Sequence, residues 1–333
     1  MWLVTGAKGH IGNVLVRKLL ERGERVRALI LRNETPTPLK GLDVEVVEGN
    51  VLDLASLFDS LRGVRGIFHL AGIISIMPGK NPGLHRINVE GTRNILRAAS
   101  ESGVEKLVYA SSIHAIQRIP EGVIDENLPY DPENTLGEYD RSKAEATREV
   151  QWAAQGGQGS VIVCPTGVIG PYDFLGSMTG EVIRTATEQM PALYVDGAYD
   201  FVDVRDVANG MIAAAEKGRR GESYILSGEK ITILHLLETI RKITGRHFFQ
   251  MKIPFDLAQF AARFTPLYYS LTHATPRFTP YSLEVLYSNS NISHAKATRE
   301  LDYHPRPLYE SIADAVHWFL ESKQMKFDQI SIR

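Results

Sequence analysis

Apolar positions along the chain recur with two periods, and the places where the period changes mark its elements. Trp2-Leu3-Val4 is a short apolar run ending at Thr5, and glycines follow at 6, 9 and 12. From Ile11 the apolar residues fall at positions 11, 14, 15, 19 and 20, one helical stripe that Gly23 closes. Short apolar runs at 25–31, 44–47, 66–70, 106–110, 160–164 and 224–226 alternate with helical patterns at 54–61, 84–102, 138–154, 207–217 and 231–244. Asp53 and Asp206 stand where N-caps are expected, and Gly245 stops the last of these helices. The run at 66–70 shows no alternation, as in strands buried on both faces. Strand and helix in this order predict an α/β fold: a Rossmann-type doubly wound parallel sheet with a smaller C-terminal α/β substrate lobe.

Between these elements, 113–136 reads as a turn-rich loop, and a helix at 180–189 precedes Pro191. Segment 255–287 carries Phe255, Phe260, Phe264, Tyr268, Tyr269, Phe278, Tyr281 and Tyr287 at near-helical spacing. Most of these rings are expected in the core, with a few walling an apolar pocket or a partner surface. Helices at 293–301 and 308–322 close the chain, and 323–333 is expected to fray.

The glycine turn after the first run has a specific chemistry. Gly6 suits a positive φ, Gly9 lets backbone amides approach a pyrophosphate, and Gly12 lets the helix lie close on the strand. The amides of His10 and Ile11, at the positive end of that helix, then face the phosphate oxygens. A dinucleotide is therefore the expected ligand, with 1–170 as its domain, 200–227 returning to it, and 171–330 mainly the substrate lobe. About 20 residues past the last glycine an acid would accept from the ribose 2′-hydroxyl of NAD. Arg32 stands there instead, a guanidinium suited to the 2′-phosphate of NADP. NADP(H) is the expected cofactor and NAD(H) the alternative.

Composition narrows the class. The chain has 333 residues, 44% hydrophobic and 23% charged, enough to bury a full core without staples. Its single cysteine, Cys164, excludes a disulfide framework and fits a reducing compartment, so a cytoplasmic location is expected. A formal net charge of −2 gives no footprint for nucleic acid. The first strand begins at residue 2, leaving no room for a signal peptide, and the most apolar stretch, 255–271, is broken by Asp256, Arg263 and Pro266. No acid or histidine clusters near Asp206, so no metal site is expected.

The candidate chemistry lies at strand ends, where open α/β sheets bind ligands. His69-Leu70-Ala71-Gly72 ends one strand with small residues that let a flat cofactor pass, and His69 reads as a packed, hydrogen-bonded group rather than a base. Asn88 and Gly91 sit inside a predicted helix despite a propensity penalty of about 1 kcal/mol for the glycine, which implies a packing or site requirement. Ser112 follows the strand at 106–110. Tyr139 and Lys143 are four apart and share a helix face. A free phenol titrates near pH 10, so it needs help to exchange protons at pH 7. An ammonium one turn away, with an oxidised nicotinamide, is expected to draw the Tyr139 pKa down.

The order and spacing of the glycine turn, Asn88, Ser112 and the Tyr139/Lys143 pair resemble the extended short-chain dehydrogenase/reductases, the NAD(P)-dependent epimerase/dehydratase superfamily. Gly49-Asn50-Val51, Pro165-Thr166-Gly167-Val168-Ile169-Gly170-Pro171, and the stretches 201–208 and 221–228 extend the likeness over almost the whole chain. Within the superfamily the sequence is most similar to the dihydroflavonol-4-reductase-like branch. The resemblance implies that Tyr139 exchanges the proton, Lys143 holds the nicotinamide ribose and Ser112 hydrogen-bonds the substrate oxygen. It also implies that Asn50 and Val51 meet the adenine, that Leu70, Ala71 and Gly72 line the cofactor, and that Asn88 supports the active-site backbone. Pro165, Gly167 and Val168 would lie against the nicotinamide. The family often dimerises through helices that here are 84–102 and 139–154, so a homodimer is expected.

Departures from the sugar-nucleotide pattern favour a carbonyl or alcohol as substrate. Cys164 and Gly167 stand where the family's epimerases usually carry an Arg and an Asn. Ile113 and His114 follow Ser112 where its dehydratases have an Asp-Glu pair. The resemblance therefore implies an NADP(H)-dependent oxidoreductase, with an NAD-dependent sugar epimerase and a non-catalytic sensor as the alternatives. His114 is either a pocket-lining donor or a packed loop histidine.

Overall fold

The fold was analysed in a computed structural model, which describes residues 1–187, 192–245, 250–272 and 278–330. The strands are β1 (Trp2–Thr5), β2 (Val26–Ile30), β3 (Glu45–Glu48), β4 (Gly66–His69), β5 (Lys106–Ala110), β6 (Ser160–Pro165), β7 (Gly167–Ile169), β8 (Ala192–Tyr194), β9 (Ala198–Asp203), β10 (Ser223–Leu226), β11 (Glu229–Thr232) and β12 (Gln250–Lys252). The α-helices begin with α1 (His10–Glu21), α2 (Leu54–Ser60), α3 (Pro82–His85), α4 (Gly91–Glu101) and α5 (Glu138–Gln155). They continue with α6 (Met178–Thr187), α7 (Val204–Lys217), α8 (Ile233–Thr244), α9 (Phe255–Ala262), α10 (Thr265–Thr272), α11 (Pro280–Tyr287), α12 (Ala295–Leu301) and α13 (Leu308–Ile330).

Seven strands form one parallel sheet in the order β3-β2-β1-β4-β5-β6-β10. The strand order reverses direction between β1 and β4, the place where a doubly wound sheet opens a crevice for a ligand. Every residue of β1, β4, β6 and β10 is buried, whereas β3 is the edge strand and shows Glu45 and Glu48 to solvent. Helices cover both faces. Leu15, Leu19, Met211 and Ile212 pack on one side, and Ile95, Ala146 and Val150 on the other. Smaller sheets β11-β9-β7 and β12-β8 complete the structure.

Several expectations need correction. The helix foreseen at 84–102 is interrupted: Arg86–Glu90 winds as a π-helix between α3 and α4, with Asn88 at its middle. Such bulges gather at functional sites because they re-aim a side chain. The helix foreseen at 207–217 begins at Val204, and its cap is Asp203, which accepts from the Arg205 amide; Asp206 is clamped by Arg306 instead. The stretch 229–232 is strand β11, so the helix foreseen from 231 starts at Ile233. The backbone of α13 is helical to Ile330, and 331–333, like Glu188, Gln189 and Pro191, lie outside the described residues. Among the aromatics of 255–287, Tyr281 is core, but Phe260, Phe264 and Tyr268 are exposed. Helix α9 buries only Ala258 and Ala262, and α10 shows no buried side chain among its described residues, so these helices leave the rings uncovered.

Candidate active site

The glycine turn has the geometry its spacing demands. Gly6 has φ +67°, and a β-carbon there would lie 2.7 Å from the carbonyl carbon of Leu70. A β-carbon on Gly12 would lie 2.2 Å from the Gly6 oxygen. Gly9 begins α1 with no side-chain cap, so the first amides of that helix, including those of His10 and Ile11, point outward as donors. This donor set fits a pyrophosphate. His10 Nε2 at 2.9 Å from the Pro171 oxygen, and Asn13 donating to the Tyr172 oxygen at 3.1 Å, tie the same helix to the chain after β7.

One hydrogen-bond chain explains the tip of β4. Thr5 Oγ1 accepts from the amides of Leu70 and Ala71 at 3.2 and 3.1 Å, and lies 2.8 Å from His69 Nδ1. His69 Nε2 reaches Thr92, which donates to the Asn88 oxygen at 2.6 Å. His69 is wholly buried, and burial holds its pKa down to about 3, so it is neutral. It is a structural group, as expected. Asn88 then holds the next turn: its Oδ1 accepts from the Ile73 amide at 2.8 Å, and its Nδ2 donates to the Ile73 oxygen and to Ser142. Gly91 is required because a β-carbon there would meet Val51 at 2.7 Å.

Tyr139 and Lys143 leave α5 on its buried face. Lys143 Nζ donates to the Ala110 oxygen at 2.7 Å and to the Tyr109 hydroxyl at 3.3 Å, and a β-carbon on Gly72 would stand 3.9 Å from it. Burial lowers the Lys143 pKa to about 8. Ser112 Oγ accepts from the His114 amide at 3.2 Å, leaving its own proton to donate. The sequence predicts that Lys143 together with an oxidised nicotinamide draws the phenol down; the protein's own groups act the other way. Burial dominates and pushes the Tyr139 pKa up to about 12, with the Ser112 hydrogen bond working against it. At neutral pH the phenol therefore holds its proton, the state a proton donor needs.

The structure thus brings Gly6, Gly9, Gly12, Leu70, Ala71, Gly72, Asn88, Ser112, Tyr139 and Lys143 together across the ends of β1, β4 and β5. Pro165 ends β6, while Gly167 and Val168 lie in β7 beside Phe201 and Val202. Asn50 and Val51 stand apart, after β3: Asn50 Oδ1 caps the Leu52 amide, and Val51 packs under Gly91. Arg32 is exposed just past β2, and among the described residues it has no ion-pair partner. The nearest acid in sequence, Glu34, is held by Lys8 at 3.1 Å.

Sequence reading missed a second polar group. Asp140, with no exposure, binds Arg118 at 2.9 Å and accepts from the Tyr281 hydroxyl at 2.6 Å. His114 lies 2.8 Å from the Tyr199 hydroxyl and 3.2 Å from Arg118, whose Nη1 is buried without a partner among the described residues. Asp140 in the first turn of a helix looks like a dipole-compensating acid, and the partners come from 22 and 141 residues away, beyond any local pattern.

Comparisons with known proteins agree with this geometry. The model of the NAD dependent epimerase/dehydratase family matches residues 2–227. Sterol demethylase protein B of Methylococcus capsulatus is 37% identical over 96% of this chain and 98% of its own. A Synechocystis protein provisionally named dihydroflavonol 4-reductase is 36% identical over 96% of this chain and 94% of its own. The crystal structure of gox2253 superposes with a TM-score of 0.84 at 33% identity, covering 97% of this chain and 98% of that one. Among the described residues, no helix is long and apolar enough to cross a membrane. The chain belongs to the NAD-dependent epimerase/dehydratase family, with dihydroflavonol-4-reductase-like relatives, and is an NAD(P)-dependent oxidoreductase of the extended short-chain type.

Proposed function

We propose that this oxidoreductase reduces a ketone or aldehyde to an alcohol with NADP(H), using Tyr139 as the proton donor. The observation that carries the reading is the buried phenol, still protonated at neutral pH, one helical turn from Lys143. The uncapped start of α1 holds the pyrophosphate, and Lys143 the nicotinamide ribose. When bound, the cofactor supplies the hydride. Ser112 and Tyr139 grip the carbonyl oxygen, and Tyr139 protonates it as negative charge develops there. Asn88 keeps the backbone at 71–73 in place by binding Ile73 on both sides of its peptide.

Two observations favour a carbonyl over a diphosphate sugar and NADP over NAD. A β-carbon on Gly167 would lie 2.7–2.9 Å from the rings of Phe201 and Tyr199, so the volume an epimerase gives to a polar side chain is aromatic here. Arg32 is unpaired among the described residues while Lys8 neutralises Glu34, which leaves positive charge at the end of β2. The test is NADPH consumption over a panel of aldehydes and ketones. Net oxidation with at least one carbonyl supports the reading. Tightly held NAD with no net turnover would replace it with epimerisation.

A further inference from the structure

The polar group beside Tyr139 has a direction that can be assigned without seeing a proton. A guanidinium only donates, so at 3.2 Å from Arg118 Nη2 the Nδ1 atom of His114 accepts. Burial lowers the His114 pKa, and the Arg118 charge adds to this against the pull of Asp140, so the ring is neutral. Its one proton sits on Nε2 and is donated to the Tyr199 oxygen 2.8 Å away. Tyr281 has already committed its proton to Asp140. Burial raises the Tyr199 pKa, so that hydroxyl keeps its hydrogen. Tyr199 thus receives one hydrogen bond and, among the described residues, has no acceptor for its own proton.

The position of that hydroxyl is inside the site. The His114 ring lies edge-on to Tyr139 at 6.2 Å and nearly parallel to the Tyr199 ring at 6.0 Å, so the two tyrosines flank one imidazole. Tyr199 also borders Gly167, where a β-carbon would touch its Cε1 at 2.9 Å. The side chain is half-buried.

We propose that Tyr199 is a specificity residue whose hydroxyl donates to a second oxygen of the substrate, separate from the carbonyl oxygen gripped by Ser112 and Tyr139. His114 and Arg118 are positioning residues that fix which way this hydroxyl points. The substrate class is then a carbonyl compound bearing a further carbonyl, hydroxyl or ether oxygen. This rests on the reductase reading above. A site built around such a donor discriminates against analogues that lack the oxygen, because the hydroxyl is left desolvated and unpaired.

Two measurements test it. Nitrogen-15 histidine spectra of the full chain report which ring nitrogen of His114 carries the proton. An Nε2-protonated neutral ring at pH 7 is expected, and an Nδ1-protonated or doubly protonated ring would overturn the assignment. The second compares kcat/KM with NADPH for cyclohexanone and 1,4-cyclohexanedione, which differ only in the second carbonyl. The wild type is expected to prefer the dione at least tenfold. Tyr199→Phe should bring the ratio near one, through loss on the dione, gain on the mono-ketone, or both, as expected when the donor and its desolvation penalty are removed together. Turnover with an unchanged ratio, or equal loss on both members, overturns this proposal alone. No turnover of any carbonyl overturns the reductase reading itself.

Discussion

Phe201 closes over Gly167 so tightly that a β-carbon there would lie 2.7 Å from Cδ1 of the ring. The ring cannot swing aside, because it is packed with Ile169, Ile231 and Leu236. Gly167→Ala is therefore expected to lower stability by about 1–3 kcal/mol in urea unfolding, the usual cost of overpacking. Phe201→Leu in the same chain should recover part of that loss. An alanine variant as stable as the wild type would show that the aromatic wall gives way.

Lys143 carries a stability penalty with a defined sign. Its folded pKa of about 8 lies below the ordinary 10.5, so between those pH values the unfolded chain binds the extra proton. Stability from this group is depressed below pH 8, by roughly 3 kcal/mol, and recovers as pH rises toward 10.5. Lys143→Met should melt no lower than wild type at pH 7 while losing turnover, and its advantage should narrow toward pH 10. A variant that melts clearly lower at pH 7 would show that the bond to the Ala110 oxygen outweighs burial of the charge.

His69 works in the acid range. It is buried neutral with a pKa near 3 against an ordinary 6.5, so its contribution is complete above pH 6.5 and is lost as pH falls toward 3. Wild-type stability should decline across that window by a few kcal/mol, and in His69→Gln the decline should be shallower. Identical acid limbs in the two proteins would place the acid sensitivity elsewhere.

Arg32 tests the cofactor preference. Arg32→Ala should weaken NADPH by roughly tenfold, as loss of one charge-assisted contact would, and leave NADH nearly unchanged in fluorescence titrations. Equal weakening of both, or of neither, would remove the 2′-phosphate contact from the account.

Local pattern carried the sheet and the ligand-facing turns, because the residues that decide them are neighbours in sequence. Gly6 with its positive φ, Gly12 against the Gly6 oxygen, and Tyr139 with Lys143 on one buried face all follow from short spacings. The polarity of the site did not follow. The sequence predicts that Lys143 with an oxidised nicotinamide acidifies Tyr139, yet burial, a property of the assembled fold, moves its pKa upward. The Asp140–Tyr281 bond and the His114–Tyr199 contact join residues 141 and 85 apart, where no periodicity reaches. Asn88 is legible as an anomaly inside a helix, but no periodicity reveals the π-helical turn that holds it.

The most direct test of the chemistry is the Tyr139→Phe variant, which keeps the ring beside His114 and deletes only the hydroxyl. Loss of the proton donor should cut kcat for carbonyl reduction by roughly 10²–10⁴-fold, with the dissociation constant for NADPH within about threefold of wild type, a shift of under 1 kcal/mol. A variant that still turns over at a near-wild-type rate would contradict the assignment of Tyr139 as the acid.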